Sequence, residues 1–225
     1  VTHRDRYFDA WPFPYVKQTH IPWKLIGPFD LKGDTTAVFP VEEGLEHSYT
    51  VDGATFVLLD GSSPRGTFPV NHFFGVPVHL PKSDPGTVYG MTQIESPKDQ
   101  DVYFWIGFNE ISRSGGRRRA GPNPAQGQWS TVNSKVWING REIPPPVWAQ
   151  PGLSGSPEVP FVDENYFYRE PVKVRLREGT NTVLIKAPHG KPAWKWMFTC
   201  VPVAWNGTRG TDVKDLRFVM PLSVE

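Results

Sequence analysis

The residues of this chain whose types and spacing suit ligand chemistry lie mostly between positions 148 and 194. Recognition of a small ligand with an apolar face and a polar rim needs a flat aromatic side chain against that face, together with planar polar side chains that bond the rim. Trp148, Tyr166, Tyr168 and Trp194 supply the first, and Asp163, Glu164, Asn165 and Arg169 the second. Several have a structural reading beside the functional one. Trp148 stands in a proline-rich loop and serves as loop packing or as a stacking face. Arg169 finds a neighbouring carboxylate or carbonyl more readily than a ligand. Trp194 and Trp196 fall on an alternating strand face expected to be core.

Other chemistries have weaker signals. Arg117-Arg118-Arg119 invites an anionic partner such as a sulfated or sialylated glycan, although short loop runs are usually just solvated. The six histidines, His3, His20, His47, His72, His79 and His189, show no HxH or HExxH spacing, which argues against a transition-metal site. A structural Ca2+ is open to Asp, Glu and carbonyl ligands, yet no Asp-rich loop marks one, and no cofactor is expected. Neither Gly152-Leu153-Ser154-Gly155 nor Gly61-Ser62-Ser63 fits the G-x-S-x-G turn of a nucleophilic serine. The single cysteine, Cys200, excludes an internal disulfide framework and a cysteine-based metal cluster; on an apolar strand it reads as a small core residue.

Strands and turns must position these groups. The 225 residues include 24 prolines and 21 glycines, recurring between short apolar runs, the punctuation of a strand-and-turn protein. In 166–203, Val172, Val174 and Leu176 alternate with Lys173, Arg175 and Arg177, the period of a half-buried strand. Glu178-Gly179-Thr180-Asn181 then reads as a reversal and Thr182 to Lys186 as the returning strand of a β-hairpin. Trp194 to Val201 is apolar on both sides and belongs in the middle of a sheet. Earlier candidates are Trp23 to Phe29, ending at a Gly-Pro break, His47 to Val51 and Ala54 to Asp60 about an Asp52-Gly53 turn, and Val76 to Leu80. Thr87 to Glu95 and Asp101 to Ile111 form the next pair. Lys135 to Ile138 leads into Asn139-Gly140, the strongest hairpin signal in the chain, and Leu216 to Met220 is the last strand.

No window repeats its apolar positions every three or four residues, so almost no helix is expected. About eleven short strands predict an all-β, antiparallel two-sheet sandwich. Residues 1–22 read as an aromatic N-terminal tether and 23–225 as one sandwich domain. The excursions at 30–46, 61–75, 112–128 and 144–165 are expected to cluster at the sandwich ends, where function is to be sought. A formal net charge of +1 gives no reason to expect nucleic acid as partner. No apolar run approaches the ~18 residues of a membrane span. No signal peptide is visible, and a mature form or fragment would look the same.

Lys135-Val136-Trp137-Ile138-Asn139-Gly140-Arg141, followed by Val172-Lys173-Val174-Arg175-Leu176-Arg177-Glu178-Gly179-Thr180-Asn181, resembles the "V-W-[IV]-N-G-K... V-x-L-x-x-G-x-N" signature of galactose-binding-like jelly rolls attached to glycoside hydrolases. Over residues 130–203, VWINGREIPPPVWAQPG, DENYFYREPVKVRL and WKWMFTCVPV are similar to the region after the catalytic barrel in family 20 β-N-acetylhexosaminidases of Bacteroidetes-type gut bacteria. WKLIGPF and SPKDQDVYFWIGF carry a weaker likeness over 23–110. The resemblance implies a jelly-roll accessory domain without catalysis, secreted or periplasmic with its parent enzyme, with a glycan as ligand and the parent catalytic domain as partner. A structural module that packs on that catalytic domain without binding sugar is the alternative. Family 20 catalysis uses adjacent Asp and Glu, which draws the eye to Asp163-Glu164. That pair belongs at a strand end of a (β/α)8 barrel, and no alternating βα pattern is present here. The glycosylation acceptor pattern Asn206-Gly207-Thr208 carries no meaning in a bacterial protein.

Overall fold

The computed structural model describes residues 21–63, 67–72, 86–108, 125–146, 171–189, 195–207 and 210–221. In chain order the strands are β1 (Ile21–Asp30), β2 (Ser48–Val51), β3 (Ala54–Val57), β4 (Leu59–Ser63), β5 (Thr67–His72), β6 (Gly86–Ser96) and β7 (Gln100–Phe108), then β8 (Lys135–Ile138), β9 (Arg141–Glu142), β10 (Val172–Leu176), β11 (Gly179–His189), β12 (Lys195–Trp205), β13 (Gly210–Asp212) and β14 (Arg217–Val219). Among the described residues the one helical element is a 3-10 turn at Pro40–Glu42. The described residues are all-β apart from that turn, as the periodicity leads one to expect.

One sheet has seven strands in the order β4-β1-β6-β11-β8-β9, with β14 beside β6. A second has five, β10-β7-β12-β13, with β5 on β12. Pairing is antiparallel throughout the described strands. The inward phase of the first sheet, including Trp23, Leu25, Val88, Ile94, Val136, Val183 and Ile185, shares one core with Phe68, Phe104, Ile106, Leu176, Trp196, Phe198 and Cys200 of the second. Two sheets facing across a common core make a sandwich. Trp23 meets Phe198 edge-on at 5.1 Å between ring centroids, and Phe68 stacks on Phe198 at 5.4 Å. Cys200 is buried in this core as expected, and burial pushes its thiol well above the usual range. Strand β12 is central, with β7 and β5 on its flanks.

Several local expectations are corrected. The two runs around Glu178-Gly179-Thr180-Asn181 are not a hairpin: β10 pairs with β7 in one sheet and β11 with β6 and β8 in the other. Asn181, fully buried, makes this corner. Its Nδ2 donates to the carbonyls of Arg177 (2.8 Å) and Gly179 (3.0 Å), and its Oδ1 accepts from the Arg177 N–H (2.9 Å). The side chain thus satisfies backbone groups that a hairpin ladder would have paired, and frees the chain to change sheets. Likewise β6 and β7 are not partners but lie in different sheets. The two corners touch, since the Glu178 N–H donates to Asp99 Oδ1 at 2.8 Å.

Strand β1 does not stop at Gly27-Pro28. The pair bulges out, with a cis Gly27-Pro28 peptide, and pairing with β6 resumes at Phe29 opposite Thr87. Only glycine fits at position 27, where φ is +112° and a Cβ would come within 2.5 Å of the Thr87 carbonyl. Ala54 to Asp60 divides at Leu58 into β3 and β4, and the expected excursion at 61–75 contains the end of β4 and all of β5. Strand β13 had no sequence signal. The turns at Asp52-Gly53 and Asn139-Gly140 form as expected, with φ of +51° and +79° in the first and +53° and +75° in the second. The expected strand at Val76 to Leu80 and the Arg117-Arg118-Arg119 run lie outside the described residues.

The excursion after β1 was expected at an end of the sandwich but packs on a sheet face. Ile26, Phe29, Tyr89 and Met91, on the outward phase of β1 and β6, are covered by Leu31, Phe39, Val41 and Tyr49 in a second core. Phe29 stacks on Phe39 at 4.8 Å and leans on Phe56 at 4.6 Å. A third layer therefore lies over part of the seven-stranded sheet.

Candidate functional site

Trp148, Asp163, Glu164, Asn165, Tyr166, Tyr168, Arg169 and Trp194 all lie outside the described residues. Trp196, the neighbour read as core, is 5 % exposed, and its Nε1 donates to the Ala187 carbonyl at 3.2 Å. Among the described residues no group of three or more His, Cys, Asp and Glu is placed to hold a metal. No helix there is long and apolar enough to cross a membrane.

A different surface brings ligand chemistry together. Where the covering layer ends, the outer face of the seven-stranded sheet opens into a cleft of about 340 Å3. Its floor follows from strand register. Leu184 of β11 stands opposite Met91 of β6 on one side and opposite Trp137 of β8 on the other. Side chains directly across antiparallel strands share a face, so the three form an apolar row. The next row pairs Gln93 with Thr182. Val41, Glu42, Glu43, Gly44 and Leu45 build one wall, with Gly140 and Pro221 elsewhere on the rim.

Trp137 is partly exposed because Val136 and Ile138 take the inward phase of the same short strand. The Lys135 ammonium lies 5.9 Å from the centroid of its ring and is held by Glu142 at 3.2 Å. The loop of the hairpin is tied down as well. Asn139 Nδ2 donates to Asn181 Oδ1 at 2.8 Å, and the Thr182 N–H donates to Asn139 Oδ1 at 3.0 Å. The two halves of the V-W-I-N-G and G-x-N signature thus meet in space, and their meeting fixes the strand that carries Trp137.

The wall is fixed by a charge. Lys186, whose side chain is 1 % exposed, donates to Glu42 Oε1 at 2.7 Å and to the Ala37 carbonyl. The Tyr89 hydroxyl donates to the same Glu42 oxygen. Burial, and then the hydrogen bond to Glu42 and its charge, push the Tyr89 phenol far above its usual value, so it stays a donor. Glu42 is held by two donors on one oxygen, and among the described residues Oε2 has no partner. The Gln93 amide, the Trp137 Nε1, the Thr182 hydroxyl and the Glu43 carboxylate also have no hydrogen-bond partner there. The cleft therefore offers an apolar floor, one aromatic ring and both donors and acceptors that no described residue engages.

Sequence reasoning missed this site. Its signal was present in part: Lys135 and Trp137 share the outward phase of an alternating strand, and an aromatic residue there has no core to enter. Glu42 and Lys186 stand 144 residues apart and gave none. No protein-family model, no curated protein and no solved structure matches the chain.

Proposed function

We propose that this chain is a non-catalytic carbohydrate-binding accessory domain of a secreted or periplasmic glycoside hydrolase of the β-hexosaminidase kind, with a galactose-binding-like jelly-roll topology. The observation that carries the proposal is the partly exposed Trp137 set in an apolar-floored cleft among uncommitted polar groups. A pyranose has the same division, with apolar C–H faces and a polar rim of hydroxyls. The resemblance of residues 130–203 to hexosaminidase accessory regions points the same way.

A glycan array on the isolated domain tests the reading, with N-acetylglucosamine- and N-acetylgalactosamine-terminated, sialylated and sulfated ligands. Trp137→Ala is expected to weaken binding by about 1–3 kcal/mol, the loss of an aromatic anchor, with little change in melting temperature. A second reading has its own observation. Val38 and Val57 are 69 % and 51 % exposed on the covering layer, apolar side chains that a neighbouring domain would cover. Silence across the array, with association to the parent catalytic domain weakened by Val38→Ser and Val57→Ser, would make this a packing module instead.

A further inference from the structure

We infer that the cleft selects uncharged glycans and rejects anionic ones, with Glu43 as the specificity-determining charge and Glu42 as a pre-positioned hydroxyl acceptor. The inference rests on the glycan-binding reading. Glu42 is neutralised from beneath by Lys186 and held in one position by two donors to Oε1. Its Oε2 is an acceptor whose placement costs little entropy when a ligand arrives. Lys135, beside the ring of Trp137, is paired with Glu142. Among the described residues Glu43 has no cation partner, and it is exposed on the wall of the cleft.

A ligand must therefore give hydrogens to two carboxylates while accepting from the Gln93 amide and the Trp137 indole. A hydroxyl does both, whereas a sulfate or carboxylate accepts only. An anion would also sit beside the carboxylate of Glu43, which has no cation partner among the described residues, at the wall of a partly desolvated cleft, where like charges repel more strongly than in bulk water. This surface is the electrostatic opposite of what Arg117-Arg118-Arg119 suggests from sequence.

Isothermal titration with matched ligands separates the outcomes: N-acetyllactosamine, its 6-O-sulfated form and its sialylated form, at low and high salt. The neutral sugar is expected to bind, with both anionic forms weaker by about tenfold at low salt, the scale of one like-charge contact at a half-solvated site. Glu43→Gln should narrow that gap, and Trp137→Ala should weaken all three ligands together. Equal or tighter binding of the anionic forms, or a gap unchanged in Glu43→Gln, overturns the inference and leaves glycan binding standing. Binding that survives Trp137→Ala places the sugar elsewhere and also overturns it. No binding by any of the three overturns the glycan reading for these sugars and the inference with it.

Discussion

Lys186 sits on the outward phase of a central strand, where sequence pattern predicts a solvated lysine, yet it is fully buried under the covering layer. A charge removed from water persists only where partners replace its hydration, and here Glu42 and the Ala37 carbonyl form that replacement, with the Tyr89 hydroxyl donating to Glu42. Lys186→Met should then lower stability by about 3–5 kcal/mol in chemical denaturation, because Glu42 keeps its burial and loses its counter-charge. Adding Glu42→Gln to Lys186→Met should recover part of that loss, and a double-mutant cycle measures the coupling. Asp212 shows the opposite case. Its Oδ1 is buried without a partner among the described residues, and desolvation raises its carboxyl above the usual value despite the nearby charge of Lys214. A folded-state pKa above the unfolded one favours the protonated form on folding, so the contribution to stability is greatest in acid and is lost as pH rises through the folded value. Asp212→Asn is accordingly expected to raise the melting temperature at neutral pH, with the gain vanishing below about pH 3.5.

Between elements, the corner after β10 and the hairpin after β8 teach different lessons about legibility. Asn139-Gly140 was readable because a two-residue turn needs positive φ at both positions, a demand local to those residues. Glu178-Gly179-Thr180-Asn181 carries the same polar and glycine signals, but whether the chain reverses in its own sheet or crosses to the other depends on which strand edges are free. Here β7 takes β10, while β6 and β8 take both edges of β11. That decision is non-local, and a single sequence does not contain it in readable form. Asn181 executes it, bonding four backbone groups of the corner and β6 and accepting from Asn139. Asn181→Ala should cost about 3 kcal/mol by equilibrium unfolding, since several of these groups would stay buried and unpaired. Because Asn139 shares the network, the same variant should also loosen the strand bearing Trp137, read out as weaker sugar binding.

At the scale of the molecule, the all-β sandwich was legible because burial of one strand face imposes a period of two wherever it occurs. The third layer was not, because residues 31–45 look like loop until Phe29, Tyr89 and Met91 present an apolar outer face for them to cover. The candidate site suffered for the same reason, since one of its walls is that layer. The spacing of the two sheets is also set by contacts that no local pattern shows. At Gly90 an added Cβ would come within 2.8 Å of the Phe198 ring and 3.3 Å of Trp23. Phe198 is fixed by Phe68 and Trp23 and has no room to retreat. Gly90→Ala should destabilise the sandwich by about 1–3 kcal/mol, the usual penalty of overpacking, and thermal unfolding would show it.

The position of β11 has a consequence for how the protein comes into being. It is eleven residues long, pairs along its whole length with β6, and is encoded after β7, β8 and β10. During synthesis β6 therefore emerges from the ribosome with one edge unsatisfied, an open template for any other strand in reach. The long β6–β11 ladder forms only after residue 189 has been made, and the seventh strand, β14, follows still later, through pairings between distant parts of the chain, the kind that form slowly. In the nascent chain, the interval between β6 and β11 is when this protein is most exposed to aggregation.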